Sequence, residues 1–258
     1  MIGRKQQTSE TDWHVAIAGI ESTVSRSAVE ARMAATVRSV RETCAGKRVA
    51  YGWSGGKDSV LLGEVMRRAG FAQCCMVICN LEFPEFLRWA TDHMPGSLEI
   101  VNTGQDLRWL AAHEEWLFPT TAAAAAKWFA AVQHRGQTTY FHKHRLDVLV
   151  TGRRRADGNN IRTAVDTNGQ GVTRFHPLAD WSHEELLAAM HYFGLPFAPC
   201  YAWPHGFRQG TGPWPARQWC GGVRGGWREV FAIDADVVHE AATLIPSARE
   251  FLRSVGAC

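Results

Sequence analysis

Six consecutive residues, Ser54-Gly55-Gly56-Lys57-Asp58-Ser59, bring together two glycines, a cation, two hydroxyls and a carboxylate. Glycine lets a backbone approach an anion closely. A helix start offers N–H groups with no intrahelical acceptor and the positive end of the helix dipole. Lys57 adds a mobile positive charge, and Ser54 and Ser59 add hydroxyl donors. That set suits phosphate. Asp58 is the exception, because a carboxylate beside phosphate is unfavourable unless it holds Mg²⁺ or orients a donor. A second stretch, Gly152-Arg153-Arg154-Arg155-Ala156-Asp157-Gly158, places three arginines after a glycine. Guanidinium groups pair with phosphate and sulfate bidentately, so this stretch also suits an anion, although a solvated basic loop would look the same in isolation.

Both stretches need elements to position them. Residues 48–53 form a short apolar run and read as a strand, and Val60 to Arg68 has helical character, ending near Gly70. The first stretch is then a turn between a strand and a helix. Residues 146–151 read as another strand ending at Gly152, which puts the arginine loop at a strand end too. Further strands are expected at 74–80 and 98–101. Helices are expected at 29–44, from Phe83-Pro84-Glu85, at 105–117, at 121–144, from the capping box Ser182-His183-Glu184-Glu185 to Phe193, and at about 236–253. Alternating strands and helices imply a doubly wound α/β fold with a mainly parallel sheet and helical N- and C-terminal additions. Open parallel sheets bind ligands beyond the carboxyl ends of their strands, so the two loops are expected to face one ligand. The first dozen residues are polar, and residues 196–228 show no period.

The 54–59 turn is not a Walker A loop, which needs glycine six residues before the lysine and Ser or Thr directly after it; Tyr51 and Asp58 stand there. No G-x-G-x-x-G fingerprint follows the strand either. Ser54 to Ser59 instead resembles the PP-loop, S-G-G-x-D-S, of the adenine nucleotide α-hydrolase-like enzymes. Gly152-x-Arg154-Arg155, Phe83-Pro84-Glu85, Pro177-Leu178 with Trp181, and Gly194-Leu195-Pro196 with Tyr201 resemble motifs of the phosphoadenylyl-sulfate (PAPS) reductase and ATP sulfurylase small-subunit group. The resemblance covers roughly 48–203. It implies a nucleotide-binding domain at 48–203; outside it, residues 1–47 read as a helical extension and 204–258 as a Trp/Gly/Pro-rich segment with a final helix.

The resemblance implies ATP, or PAPS, as ligand. Its phosphates would rest on Ser54, Gly55, Gly56, Lys57, Asp58 and Ser59 with Gly152, and its adenine would lie against the backbone of Cys79, Asn80 and Leu81. Lys57, Asp58, Arg154 and Arg155 would be the catalytic set, with Mg²⁺ on Asp58. A PAPS reductase further needs a cysteine in a Glu-Cys-Gly-Leu/Ile-His tail motif, and this sequence has none. The reading therefore leans to cleavage of ATP at the α-phosphate, with pyrophosphate release and adenylyl transfer to an unidentified acceptor. A thiol-dependent PAPS reductase using Cys258 or Cys220, and a nucleotide-binding subunit needing a partner, stay open.

Composition sets bounds on these readings. The 258 residues are 46% apolar, enough for a sizeable core, and the formal charge of +3 does not indicate general nucleic-acid binding, although a nucleic acid is not excluded as acceptor. No apolar run approaches the roughly 18 residues of a membrane span, and no secretory leader is evident. Seven cysteines, an odd count, point to free thiols in a reducing, cytoplasmic setting. Cys74 and Cys75 fall inside a strand and no Cys-x-x-Cys exists, so no iron–sulfur cluster is expected. Cys200, His205 and Cys220 could supply three zinc ligands at irregular spacing, and packing is the better reading. A homo-oligomer or partner subunit is compatible with everything above.

Overall fold

The computed structural model describes Ile2 and residues 7–257. Six strands form one sheet: β1 (Val49–Gly52), β2 (Cys74–Ile78), β3 (Leu98–Asn102), β4 (Val148–Val150), β5 (Val165–Thr167) and β6 (Thr173–Phe175). Their order is β3-β2-β1-β4-β6-β5. β1 runs parallel to β2 and β4, with Tyr51 opposite Cys74 and Val49 opposite Val148. β6 runs parallel to β4, and β5 closes the edge antiparallel to β6. Helices flank this mainly parallel sheet, and the α/β class expected from the sequence is the one observed.

The chain divides into two compact units. The first comprises Met1–Met76, His93–Ile100 and Gln137–Ala198, and the second Val77–Asp92, Val101–Gly136 and Pro199–Cys258. In the first, helices Arg26–Cys44, Lys57–Ala69 and His183–Tyr192 pack on one another. Their buried faces carry Val29, Met33, Leu61, Val65 and Leu186. Trp181 is buried beside them and its indole N–H donates to Thr36 Oγ1 at 3.1 Å. In the second, helices Val223–Ile233, Ala235–Ala242 and Pro246–Ser254 pack together. Phe118, Trp214 and Trp227 form a buried aromatic group there, with ring centroids 5.0–6.3 Å apart.

Three expected helices are broken, each for a local reason. The 105–117 segment is a helix only over Leu107–Ala111, followed by a 3-10 turn at Glu114–Trp116. The 121–144 segment holds a π turn at Ala130–His134 between Ala122–Phe129 and Arg135–Lys143. Beside that turn Gly136 packs on Val77, where a Cβ would lie 2.3 Å from a valine methyl. The last helix splits before Pro246, whose ring and missing N–H begin a new helix rather than continue the old one. Residues 196–228, which show no period, contain short turns at Pro199–Ala202, Gly206–Gln209 and Trp214–Ala216, and the start of the helix from Val223.

Candidate functional site

The glycine-rich turn leaves β1 and enters the helix Lys57–Ala69 directly. Gly55 takes φ +71°, a conformation that favours glycine, and Gly56 is the N-cap with no side-chain cap of its own. The turn is braced from within by Ser59. Its hydroxyl donates to the Gly56 carbonyl at 2.9 Å and accepts the Ser54 N–H at 3.0 Å. Ser54 Oγ in turn accepts the Gly56 N–H at 3.4 Å. Ser59, expected as a ligand donor, is thus committed to holding the loop.

Two buried cations lie at this helix start, and two carboxylates balance them. Lys57 is 1% exposed and Arg154 is fully buried. Lys57 Nζ donates to Asp58 Oδ2 at 2.7 Å, and Arg154 Nε donates to Asp58 Oδ1 at 2.5 Å. Asp157 Oδ1 accepts from Arg154 Nη2 at 3.1 Å and lies 3.8 Å from Lys57 Nζ. An isolated buried charge costs several kcal/mol, so two cations at this depth need two anions. This accounts for Asp58, the acid that looked out of place in a phosphate loop. It also bears on magnesium: both Asp58 oxygens already face a cation, so the carboxylate as arranged does not fit a Mg²⁺ ligand. Among the described residues no group of three or more His, Cys, Asp or Glu is placed to hold a metal, and Cys200, His205 and Cys220 do not form one.

Arg154 has five N–H donors, and each meets a protein acceptor. Besides Asp58 and Asp157, Nη1 donates to the carbonyls of Trp181 at 3.1 Å and Ser182 at 3.0 Å, and Nη2 to His183 Nδ1 at 3.2 Å. A guanidinium so engaged positions its surroundings rather than gripping a ligand. Arg155 differs. It is 40% exposed on its side chain, pairs with Asp180 and donates Nε to the Ile161 carbonyl at 2.8 Å. Those two bonds leave donors over for an anion. Arg153 is exposed and donates to Asn159.

Gly152 ties the two loops together. A Cβ there would sit 2.9 Å from the backbone oxygen of Asp58, so the chain after β4 meets the first turn of the Lys57 helix backbone to backbone. Only glycine fits without one of them moving.

Asp157 and His183 join this cluster without a motif of their own: Asp157 lies within the arginine loop, and His183 within a capping box formed by Ser182 and Glu185. His183 is 3% exposed, with Trp13 edge-on at 4.8 Å. Arg154 must donate to Nδ1, so the ring carries its proton on Nε2 and gives it to the Ala156 carbonyl at 3.1 Å. Burial and then the charge of Arg154 push its pKa down to about 4. The signal in the sequence was the loop following β4 and a histidine at the first position of a capped helix, and neither is specific.

The expected adenine-contacting residues lie in the second unit. Asn80 N–H donates to the Gln105 carbonyl at 2.8 Å, and the Leu81 carbonyl accepts from Trp214 N–H at 2.9 Å. Asn80 Oδ1 accepts from Asn102, and Cys79 N–H points at Glu82 Oε1 at 3.4 Å. Glu82 is buried, its Oε2 has no hydrogen-bond partner, and burial raises its carboxyl to about 8. The Cys79 thiol is raised by burial and by Glu82. Cys220, one of two thiols considered as a nucleophile, is also raised, by burial and then by Glu229, which disfavours the reactive thiolate. Cys258, the other, lies outside the described residues.

No family model and no curated protein sequence matches the chain. Solved structures do. A PAPS reductase from Candida auris, in a phosphate complex, is 12% identical with a TM-score of 0.50, over 68% of this chain and 90% of that one. An NH3-dependent NAD synthetase from Campylobacter jejuni is 16% identical with a TM-score of 0.46, over 88% and 92%. A U34-tRNA thiolase from Methanococcus maripaludis, solved with its [4Fe-4S] cluster, is 14% identical with a TM-score of 0.43, over 87% and 80%. At these identities the likeness concerns the fold alone. With the glycine-rich turn after β1 and the parallel sheet order, the chain has the fold of the PP-loop adenine nucleotide α-hydrolase-like proteins.

Proposed function

We propose that this chain is a PP-loop enzyme that binds ATP and cleaves it at the α-phosphate, releasing pyrophosphate and transferring the adenylyl group to an acceptor. The observation that carries the reading is the turn Ser54–Gly56, held open by Gly55 and Ser59 at the start of an uncapped helix, with Lys57 buried beside it. Backbone N–H groups, the helix dipole and one ammonium supply what a polyphosphate needs. Lys57 is the side chain assigned to meet phosphate, with Arg155 as a second donor. Arg154, Asp58 and Asp157 position Lys57, and His183 holds Arg154 in place. The chemistry of the set is that of charge stabilisation as pyrophosphate leaves, and no step is assigned to Mg²⁺. The raised Cys220 thiol favours this reading over a reductase that uses Cys220 as its nucleophile. No described helix is long and apolar enough to cross a membrane, which is compatible with a cytoplasmic enzyme.

The test is direct. Purified chain is given ATP with its α-phosphate labelled, alone and with candidate acceptors, and AMP, adenylylated product and pyrophosphate are measured. The expected outcome is pyrophosphate formation that is lost in Lys57→Ala. Release of sulfite from PAPS without pyrophosphate formation from ATP would replace this reading with the reductase. ATP binding with no turnover under any acceptor would point to a nucleotide-binding subunit.

A further inference from the structure

The second unit holds a cavity of about 320 Å³ that the nucleotide reading does not use. Its wall is formed by Pro204, His205, Trp219, Cys220, Arg228 and Glu229, among others. The size is at the lower end for small-ligand pockets and suits one or two fused rings.

The Glu229 charge on the cavity wall is already paired. Glu229 is buried, and its Oε1 accepts from both Nε and Nη2 of Arg217, itself 2% exposed. Arg217 Nη2 also donates to the Pro204 carbonyl at 2.5 Å, which fixes the pair. His205 Nε2 lies 3.8 Å from the other Glu229 oxygen. The Cys220 thiol is neutral, as its raised pKa requires. Arg228, one residue before Glu229 on the helix Val223–Ile233, is exposed and makes no ion pair or hydrogen bond with another described residue. Among the described residues that line the cavity, Arg228 is the one arginine or lysine, and it has no anionic partner.

Trp219 supplies a flat apolar wall. Its φ is +70°, a conformation that a bulky residue adopts only under constraint, and its side chain is left 46% exposed. The Arg208 guanidinium sits 5.7 Å from its ring centroid. His205, across the same cavity, is likewise left-handed at φ +55°. Two non-glycine residues in left-handed conformations thus line one cavity.

We propose that this cavity binds a small planar aromatic molecule carrying one carboxylate, its ring against Trp219 and its carboxylate on Arg228. An aromatic face and a guanidinium are the partners such a molecule uses. A neutral ring would leave Arg228 unused. The site stands independently of the nucleotide reading.

The experiment titrates the full-length chain with benzoate, with benzamide as its neutral isostere, and with acetate as a carboxylate without a ring, by calorimetry or ligand-observed saturation-transfer NMR. Benzoate is expected to bind, and benzamide and acetate to bind at least about tenfold more weakly, the loss of one charge-assisted pair or of the ring contact. Arg228→Gln should lower benzoate affinity by about tenfold or more, and so should Trp219→Gly, which keeps the left-handed backbone while removing the indole. Arg224→Gln, an exposed arginine on the same helix that does not line the cavity, should leave it unchanged. No benzoate binding, equal binding of benzamide, an unaffected Arg228→Gln, or an equal loss in Arg224→Gln would each overturn the proposal.

Discussion

Replacing Asp58 by asparagine keeps the side chain's shape and removes one of the two negative charges that neutralise Lys57 and Arg154. The wild-type cluster sums to zero; the variant leaves one excess positive charge where Lys57 is 1% exposed and Arg154 is fully buried. Breaking a buried ion pair from one side costs about 3–5 kcal/mol. Two features lower that figure here. The Asp58 side chain is 24% exposed, so water reaches the site, and Asp157 stays 3.1 Å from Arg154 Nη2. A loss of about 3 kcal/mol is expected. Urea unfolding reads it as a midpoint lowered by about 1–2 M at unchanged slope. Nucleotide should then act oppositely on the two proteins' deficits. A phosphate brings the negative charge that Asp58 supplied, so ATP added without metal should stabilise the variant more than the wild type. For scale, ligand at about 100 times its Kd stabilises by about 2.7 kcal/mol. Tighter ATP binding combined with lost turnover is the expected signature of a carboxylate that positions cations. An unchanged urea midpoint would refute the charge-balance argument. Equal ATP stabilisation of both proteins would show that phosphate does not meet these cations, and weaker metal-dependent binding in the variant would return Asp58 to the magnesium role.

Three further outcomes follow from the same geometry. Gly152→Ala should cost about 1–3 kcal/mol and weaken ATP binding, because its Cβ meets the Asp58 carbonyl oxygen at 2.9 Å; Gly96→Ala, which meets nothing within 4 Å, is the control and should be neutral in thermal unfolding. His183 is held neutral with its pKa lowered to about 4, so the unfolded state binds the extra proton between about pH 6.5 and 4, and stability falls as pH drops through that window. His183→Asn, which can keep both hydrogen bonds without titrating, should flatten this loss by about 2 kcal/mol in urea titrations at pH 7 and 4.5, and an unchanged slope would contradict the assigned tautomer. Glu82 has the opposite sign: its carboxyl, raised to about 8, keeps a proton that the unfolded chain loses above its ordinary value, so stability falls as pH rises toward 8. Glu82→Gln should gain on the order of 2 kcal/mol relative to wild type at pH 8 and nothing at pH 4, measured by urea unfolding.

Strands β1 to β4 each leave an apolar run as their mark, and in β1, β2 and β4 that run is largely buried. The β5–β6 hairpin left none. Each strand is three residues long, and β6 carries Arg174 into a buried position, so no apolar run announces it. Helix starts were legible from Ser182 and from the loop glycines. Helix interruptions at Ala130–His134 and before Pro246 were not, because the apolar period continues through both.

The site divides along the same line. Residue types and order announce the glycine-rich turn, since a turn of that kind between a strand and a helix is a local property. The roles within it depend on which partners each group meets in three dimensions. Two adjacent arginines look equivalent in Arg154-Arg155, yet one is fully buried with five acceptors and the other half exposed with donors to spare. Their alternation follows from an extended backbone at Arg154, φ −129° and ψ 147°, which turns successive side chains to opposite sides. Arg154 therefore faces the Lys57 helix, and the acids at 58 and 157 are there because it does. On this account a single arginine organises the loop after β4, the first turn of the helix after β1 and the start of the helix at His183. An Arg154→Lys substitution, with a point charge in place of a five-donor fork, could satisfy Asp58 but not Trp181, Ser182, Asp157 and His183 together. It should lose stability and ATP binding in parallel, whereas a residue that only touched phosphate would lose binding alone.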